Sequence, residues 1–223
     1  APENGYTPLT TEEYKVRFES EENGFHTMQR AIDLIAVPDK TLRAELDGLK
    51  TAWEASPATR QFVEAHREAL TLAQEAFEFD YSMTPPLNAN LTLDWAGDVR
   101  NLARLYMYDA HIRRINDDLS GMTDQFLNAL KAGRSITDNG LLIHAMVTGA
   151  IESLVIGELF PQLQNLDAES LRRVVDTLDE HRRHRVPIEN ILANERAYSD
   201  EALNAMQRNP IERLMTPLIK IIT

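Results

Sequence analysis

The residues able to do chemistry in this chain are its six histidines and its carboxylates, because cysteine is absent. That absence excludes thiol nucleophiles, disulfide staples and cysteine-based zinc sites. The one basic cluster is EHRRHR, Glu180 to Arg185, where His181 and His184 stand at i, i+3 with Glu180 beside them. Such a pair on one helix face could hold a metal. The alternative is a solvated helix C-terminus, whose cations complement the helix dipole before Pro187 ends the run. The second is the expectation. His66, His111 and His144 fall on separate predicted helices at or beside apolar faces, and each is expected to be a core or half-buried histidine bonded to a backbone carbonyl, not a ligand. A helical di-iron site needs a Glu-x-x-His step on each of two helices, and the sequence contains none.

Asn116-Asp117-Asp118 is similar to the aspartate-rich metal motif of all-α prenyl-transfer enzymes, which requires a second acidic cluster across an apolar cavity. Here the run leads straight into a predicted helix, so Asp118 is expected to be its N-cap. In ILANERAYS the polar residues Asn190, Asn194, Glu195 and Arg196 interrupt an apolar pattern. Glu195 lies near the apolar side and is expected to pair with Arg100, Arg104 or Arg113. Gly-rich phosphate loops, nucleophile elbows and metalloprotease motifs are missing. No residue is therefore assigned as catalytic, cofactor-binding or metal-ligating, and no cofactor is expected.

The elements that must position these groups are helical. Leu, Ala, Glu and Arg are plentiful, whereas the 223 residues include only 9 Gly and 10 Pro; this favours helix over sheet. The expected fold class is all-α, built of antiparallel helical hairpins in tetratricopeptide-like or helical-bundle packing. A net charge of −12 would repel a phosphate backbone and an anionic membrane alike, so nucleic acid is not an expected partner.

Roughly eight helices are predicted. Thr11 to Ser20 is ambiguous between a strand, from alternating Tyr14, Val16 and Phe18, and a helix, from the Thr10/Glu13 capping box. Phe25, Met28, Ile32 and Ile35 predict a helix ending before Pro38. Next comes Lys40 to Ala55, with Leu42, Leu46, Leu49 and Trp53 on one stripe. Ser56-Pro57 starts a third helix carrying Phe62, Ala65 or His66, Ala69, Ala73, Ala76 and Phe77 inward. Pro85-Pro86 breaks the pattern, dividing an N-terminal helical part, 1–79, from a connection, 80–94, and a C-terminal part, 95–223. That last part should hold helices from Trp95 to Asn116, from Asp118 to a stop at Gly133, after Asn139-Gly140, after Asp167 and after Pro187, all within one continuous fold.

The stretch LLIHAMVTGAIESLVIGELF, Leu141 to Phe160, is long and apolar enough to span a bilayer. It carries Glu152 and Glu158, each costing about 2.5 kcal/mol or more near a bilayer centre, and it lacks flanking Trp or Tyr. A central helix of a soluble fold is expected, with Leu142, Met146, Gly149, Ala150, Ser153, Leu154 and Gly157 packed on neighbours and both glutamates leaving one side.

Val99, Leu102, Ala103 and Tyr106, followed by Met122, Phe126 and Ala129, echo one tetratricopeptide hairpin, although no second copy follows at that period. The segments LARLYMYDAHIRRINDD, FLNALKAGRSITDNGLLIHAMVTGAIESLVI, LDAESLRRVVDTL and ENILANERAYS, with ENGFHTMQRAI near the start, resemble a group of uncharacterised helical proteins of planctomycete-type bacteria. That resemblance covers about two thirds of the chain and implies an exported or anchored helical body of unassigned activity. The polar start at Ala1, without Met, fits a mature or trimmed chain, with any signal or anchor lying before it. The tail NPIERLMTPLIKIIT, Asn209 to Thr223, is too apolar for a free end and is expected to dock on the body or, failing that, to mediate self-association. The function expected is a non-catalytic, extracytoplasmic helical interaction or scaffold protein with a protein partner. A helical-bundle enzyme, metal protein or small-ligand binder, and a cytoplasmic location, are the alternatives.

Overall fold

The computed structural model describes residues 8–79, 81–83, 89–135 and 140–208. Its regular elements are ten α-helices and one 3₁₀ segment, so the fold is all-α. The Pro85-Pro86 pair, Asn139 and the C-terminal tail Asn209 to Thr223 lie outside the described residues, and with the tail goes the expectation of self-association through it.

The ambiguous N-terminal stretch is helix α1, Thr11–Phe18. Its capping box decides the matter: the Glu13 amide donates to Thr10 Oγ1 at 3.3 Å, and Glu13 Oε2 accepts from the Thr10 amide at 2.9 Å. Helix α2, Phe25–Asp33, buries Phe25, Met28 and Ile32 as its spacing predicts. Buried Asn23 ties the turn before it to the chain after the fifth helix. Its Nδ2 donates to the Phe18 and Met83 carbonyls at 3.0 and 3.1 Å, and its Oδ1 accepts from the Met83 amide at 2.8 Å.

Helix α3, Lys40–Gly48, is capped by Asp39 and stops seven residues short of the predicted Ala55. Leu46 and Leu49 are buried, but Trp53 lies beyond the helix and is 92% exposed, so it leaves the expected stripe. The predicted third helix is two: α4, Pro57–Ala65, capped by Ser56, and α5, Arg67–Ala76. The break falls at His66, whose backbone departs from helical values at φ −107°, ψ 17°. The His66 ring explains it. Nδ1–H donates to the Phe62 carbonyl at 2.6 Å and Nε2 accepts from the Ala36 amide at 2.9 Å, tying this corner to the loop after α2.

Helix α6, Ala89–Ile115, starts six residues earlier than predicted. Three residues turn it into α7, Leu119–Arg134. Asp117 adopts φ 59° there, the left-handed region that Asp and Asn tolerate best after glycine. Asp118 caps α7 as expected, accepting from the Gly121 amide at 2.8 Å. That bond, with Arg113 alongside, holds its carboxyl below the usual range. Asn116 Oδ1 accepts from Arg60 at 3.2 Å. Each residue of the Asn-Asp-Asp motif is thus occupied in making a helix-to-helix turn.

The chain continues through α8, Leu142–Leu159, a 3₁₀ segment Phe160–Asn165, α9, Ala168–Arg183, and α10, Ile188–Arg208. One apolar cluster runs from Phe25 of α2 through Leu70 of α5, Tyr106 of α6 and Phe126 of α7 to Val155 of α8 and Val174 of α9. Residues from both sides of the Pro85-Pro86 connection share it, with Phe25 against Trp95 at 4.5 Å between ring centroids.

Gly133 does not stop α7 but lies inside it, where α8 approaches closely. A Cβ added there would sit 3.1 Å from Ile151 Cγ2. Gly133→Leu should therefore destabilise the fold by about 1–3 kcal/mol through overpacking, read as a lower urea midpoint with an unchanged slope.

Candidate functional site

Helix α8 is apolar around almost its whole circumference, so hydrophobic periodicity alone does not tell which side is buried. The inward side is His144, Thr148, Ile151, Val155 and Leu159, packed towards α6 and α7. His144 is fully buried and accepts the Leu141 amide on Nδ1 at 3.0 Å, closing the N-terminus of α8 in place of a conventional cap. Burial alone pushes its pKa down to about 4. The Thr148 hydroxyl donates to the Gly133 carbonyl at 2.7 Å.

The side expected to pack is the one that faces out. Met146 is 63% exposed, Leu154 44%, Ile156 45% and Phe160 69%, with Leu142 exposed above them. The physical reason lies at the inner face, where Gly133 of α7 admits Ile151 and the Gly133 carbonyl takes the Thr148 hydroxyl. Those two contacts, together with the histidine–glutamate pairs on its flanks, set the rotation of α8 and turn Met146 and Leu154 away. Among the described residues, α8 is the one helix long and apolar enough to cross a membrane by length and composition. Helices α6, α7 and α10 nevertheless pack on it, and α9 bonds to it.

The glutamates, expected to leave the helix on one side, instead anchor both its flanks. Glu152 accepts from His181 Nε2 of α9 at 2.6 Å. Glu158 pairs with His111 Nε2 of α6, also at 2.6 Å. Each carboxylate is about four-fifths buried, and each is joined to a largely buried imidazole. The EHRRHR cluster is therefore a helix C-terminus, but not simply a solvated one. Besides His181, Glu180 takes Arg134 of α7 at 2.9 Å, which holds its carboxyl below the usual range. His184 Nδ1 lies 2.9 Å from the Glu180 carbonyl oxygen.

Among the described residues, Glu195 pairs with no arginine. Its Oε2 accepts the Leu142 amide at 3.1 Å, so α10 supplies a carboxylate to the positive end of α8. Of the three expected partners, Arg113 is taken by Asp109 and Asp118. His66 is a core histidine bonded to a backbone carbonyl, as expected, whereas His111 and His144 bind a carboxylate and a backbone amide.

A cleft opens on each flank of α8. One, of about 340 Å³, is lined by Arg134, Thr148, Gly149, Glu152, His181 and Ile191. The other, of about 270 Å³, is lined by Asp47, Lys50, Arg104, Tyr108, His111 and Glu158. Both contain a histidine oriented by a carboxylate, half of a nucleophile-activating relay. Among the described residues lining the clefts, no free hydroxyl completes either relay. The Thr148 hydroxyl is committed to Gly133, and His111 turns its second nitrogen into the core, edge-on to the Phe126 ring at 5.6 Å. Among the described residues, no group of three or more His, Asp or Glu side chains could hold a metal ion. The two pairs cross-link α8 to α6 and α9.

Comparison with protein-family models, with curated protein sequences and with solved structures returns no significant match to this chain.

Proposed function

We propose that this protein is a non-catalytic helical interaction module that receives an apolar helix of a protein partner along the outer face of α8. The observation that carries this reading is the exposure of Leu142, Met146, Leu154 and Ile156 on α8 and of Phe160 directly after it. Contiguous exposed apolar surface of this kind marks interaction sites in folded proteins. Two glycines strengthen it. A Cβ added at Gly149 or Gly157 would meet nothing within 4 Å, although glycine in a helix costs about 1 kcal/mol relative to alanine. Inside the fold, Gly133 repays that cost by admitting Ile151, whereas Gly149 and Gly157 leave room for a backbone arriving from outside. The cysteine-free composition supports an extracytoplasmic setting for this contact.

The test is a photo-crosslinking side chain placed at Met146 or Ile156 in cells. The expected result is one discrete polypeptide adduct, mapped to a helix, that Gly149→Leu abolishes. No adduct, or adducts to lipid alone, overturns the reading. Met146→Asp with Ile156→Asp should leave the melting temperature of the isolated chain within about 2 °C, since exposed positions contribute little to folding.

A further inference from the structure

We infer that the partner helix is α8 of a second copy of this chain, packed antiparallel across a two-fold axis at the level of residue 151; this rests on the reading that the outer face of α8 is an interaction surface. The inference starts from the order of side chains along that face. Leu142, Met146, Gly149, Ser153, Ile156 and Phe160 follow one another in steps of four, three, four, three and four residues. Alternating steps of this kind draw the straight seam along which two helices interdigitate. Read in either direction the seam is two large apolar residues, two small ones and two large apolar ones. An antiparallel copy therefore sets Gly149 against Ser153 of the other, Met146 against Ile156, and Leu142 against Phe160. The small pair falls where the helices come closest, so the backbones can approach at the short end of the usual 8–10 Å range, and antiparallel pairing also aligns the helix dipoles favourably.

Charge works against pairing everywhere except along this face. Each chain carries −12, so two copies repel wherever their ordinary surfaces meet. The outer face of α8 escapes this, because Glu152 and Glu158 are turned to the flanks and bound to His181 and His111. The area sets the strength. Eighteen residues of helix make a strip roughly 27 Å long and about 10 Å wide, well under the ~800 Å² per partner of a stable interface. Ile188, exposed beside Gly149 at the edge of the flanking cleft, extends it. The result is a reversible, concentration-dependent dimer whose affinity rises with salt, since screening weakens the long-range repulsion while the seam itself is uncharged.

The cysteine-free chain makes the geometry directly testable. The full-length Met146→Cys and Ile156→Cys proteins are mixed and mildly oxidised. Expected are a cross-linked dimer in the mixture and at least about five-fold less in either variant alone, because identical positions stand far apart in an antiparallel pair. Sedimentation of the unmodified chain should show a monomer–dimer equilibrium. Gly149→Leu should raise its dissociation constant about thirty-fold or more by prising the helices apart while raising the melting temperature of the dilute monomer by about 2–4 °C, since a helical glycine is removed where a side chain meets nothing. Met146→Cys pairing with itself as readily as with Ile156→Cys would mean a parallel contact and overturn the inference. So would a chain that stays monomeric at all concentrations, a Met146→Cys thiol shielded from a maleimide in the monomer, or flotation of the monomer with phosphatidylcholine vesicles. If the chain is monomeric yet the cellular adduct to another polypeptide persists, this inference falls and the broader reading stands. If no polypeptide adduct forms either, both fall.

Discussion

Acidification from above pH 6.5 to pH 4 is expected to remove roughly 3 kcal/mol of folding stability through one residue, His144. Its imidazole is fully buried, with Nδ1 accepting the Leu141 amide, and burial holds its pKa at about 4 against an ordinary 6.5. The unfolded chain therefore binds a proton between those values that the folded chain refuses. Stability is fully present above pH 6.5, falls as pH drops through that window, and levels off below about 4. Asp118 and Glu180, whose carboxyls are held low by the Gly121 amide and by Arg134, add losses of the same sign. Theirs come further into acid, where carboxylates protonate. Urea titrations of the native chain and of His144→Asn, which keeps an acceptor for Leu141, should differ in slope between pH 6.5 and 4. Parallel slopes for the two proteins would show that His144 is not held neutral.

Asp109→Ala is expected to cost about 2 kcal/mol, the loss of two charge-assisted hydrogen bonds to arginines that stay partly exposed. Asp109 is almost wholly buried in α6, and its Oδ2 takes Arg67 of α5 at 2.8 Å and Arg113 one turn on at 3.0 Å. Removing it leaves two guanidinium groups beside an apolar cluster with no local anion for Arg67 except Glu64, 72% exposed. Glu64→Ala should change stability by no more than about 0.5 kcal/mol, since exposed ion pairs are worth little. Equal effects of the two substitutions would mean that the α5–α6 corner does not depend on Asp109.

Much of the fold was legible because several helices carry caps or apolar periods that are locally decisive. Asp39, Ser56, Asp118 and Asp167 each accept an amide three residues on, as caps do. Phe25, Met28 and Ile32 announce α2 by spacing alone. The break at His66 was not legible, because the bonds that make it reach the Ala36 amide, thirty residues away. Nor was the stop at Gly48, since Leu49 and Trp53 continue the apolar period although the helix does not.

The candidate site was misread for a related reason. On a helix apolar all round, composition has no direction, and the rotation of α8 is decided by Gly133, which admits Ile151, and by histidines on two other helices. A usable sign was present: Glu152 and Glu158 stand six residues apart, on opposite flanks, so the side between them that carries His144 and Thr148 was the better candidate for burial. Small residues at Gly149, Ser153 and Gly157 suggested close packing, yet among the described residues no neighbour lies against the two glycines.

The paired histidines and glutamates also index the helix like a keyed shaft. A slip of one residue would swing the barrel of α8 by about 100° and tear both carboxylates from their imidazoles, so the azimuth of the outward seam is locked from behind. Whatever reads that seam meets a fixed register, and His111 and His181, which never touch the visitor, dictate which row of side chains is offered.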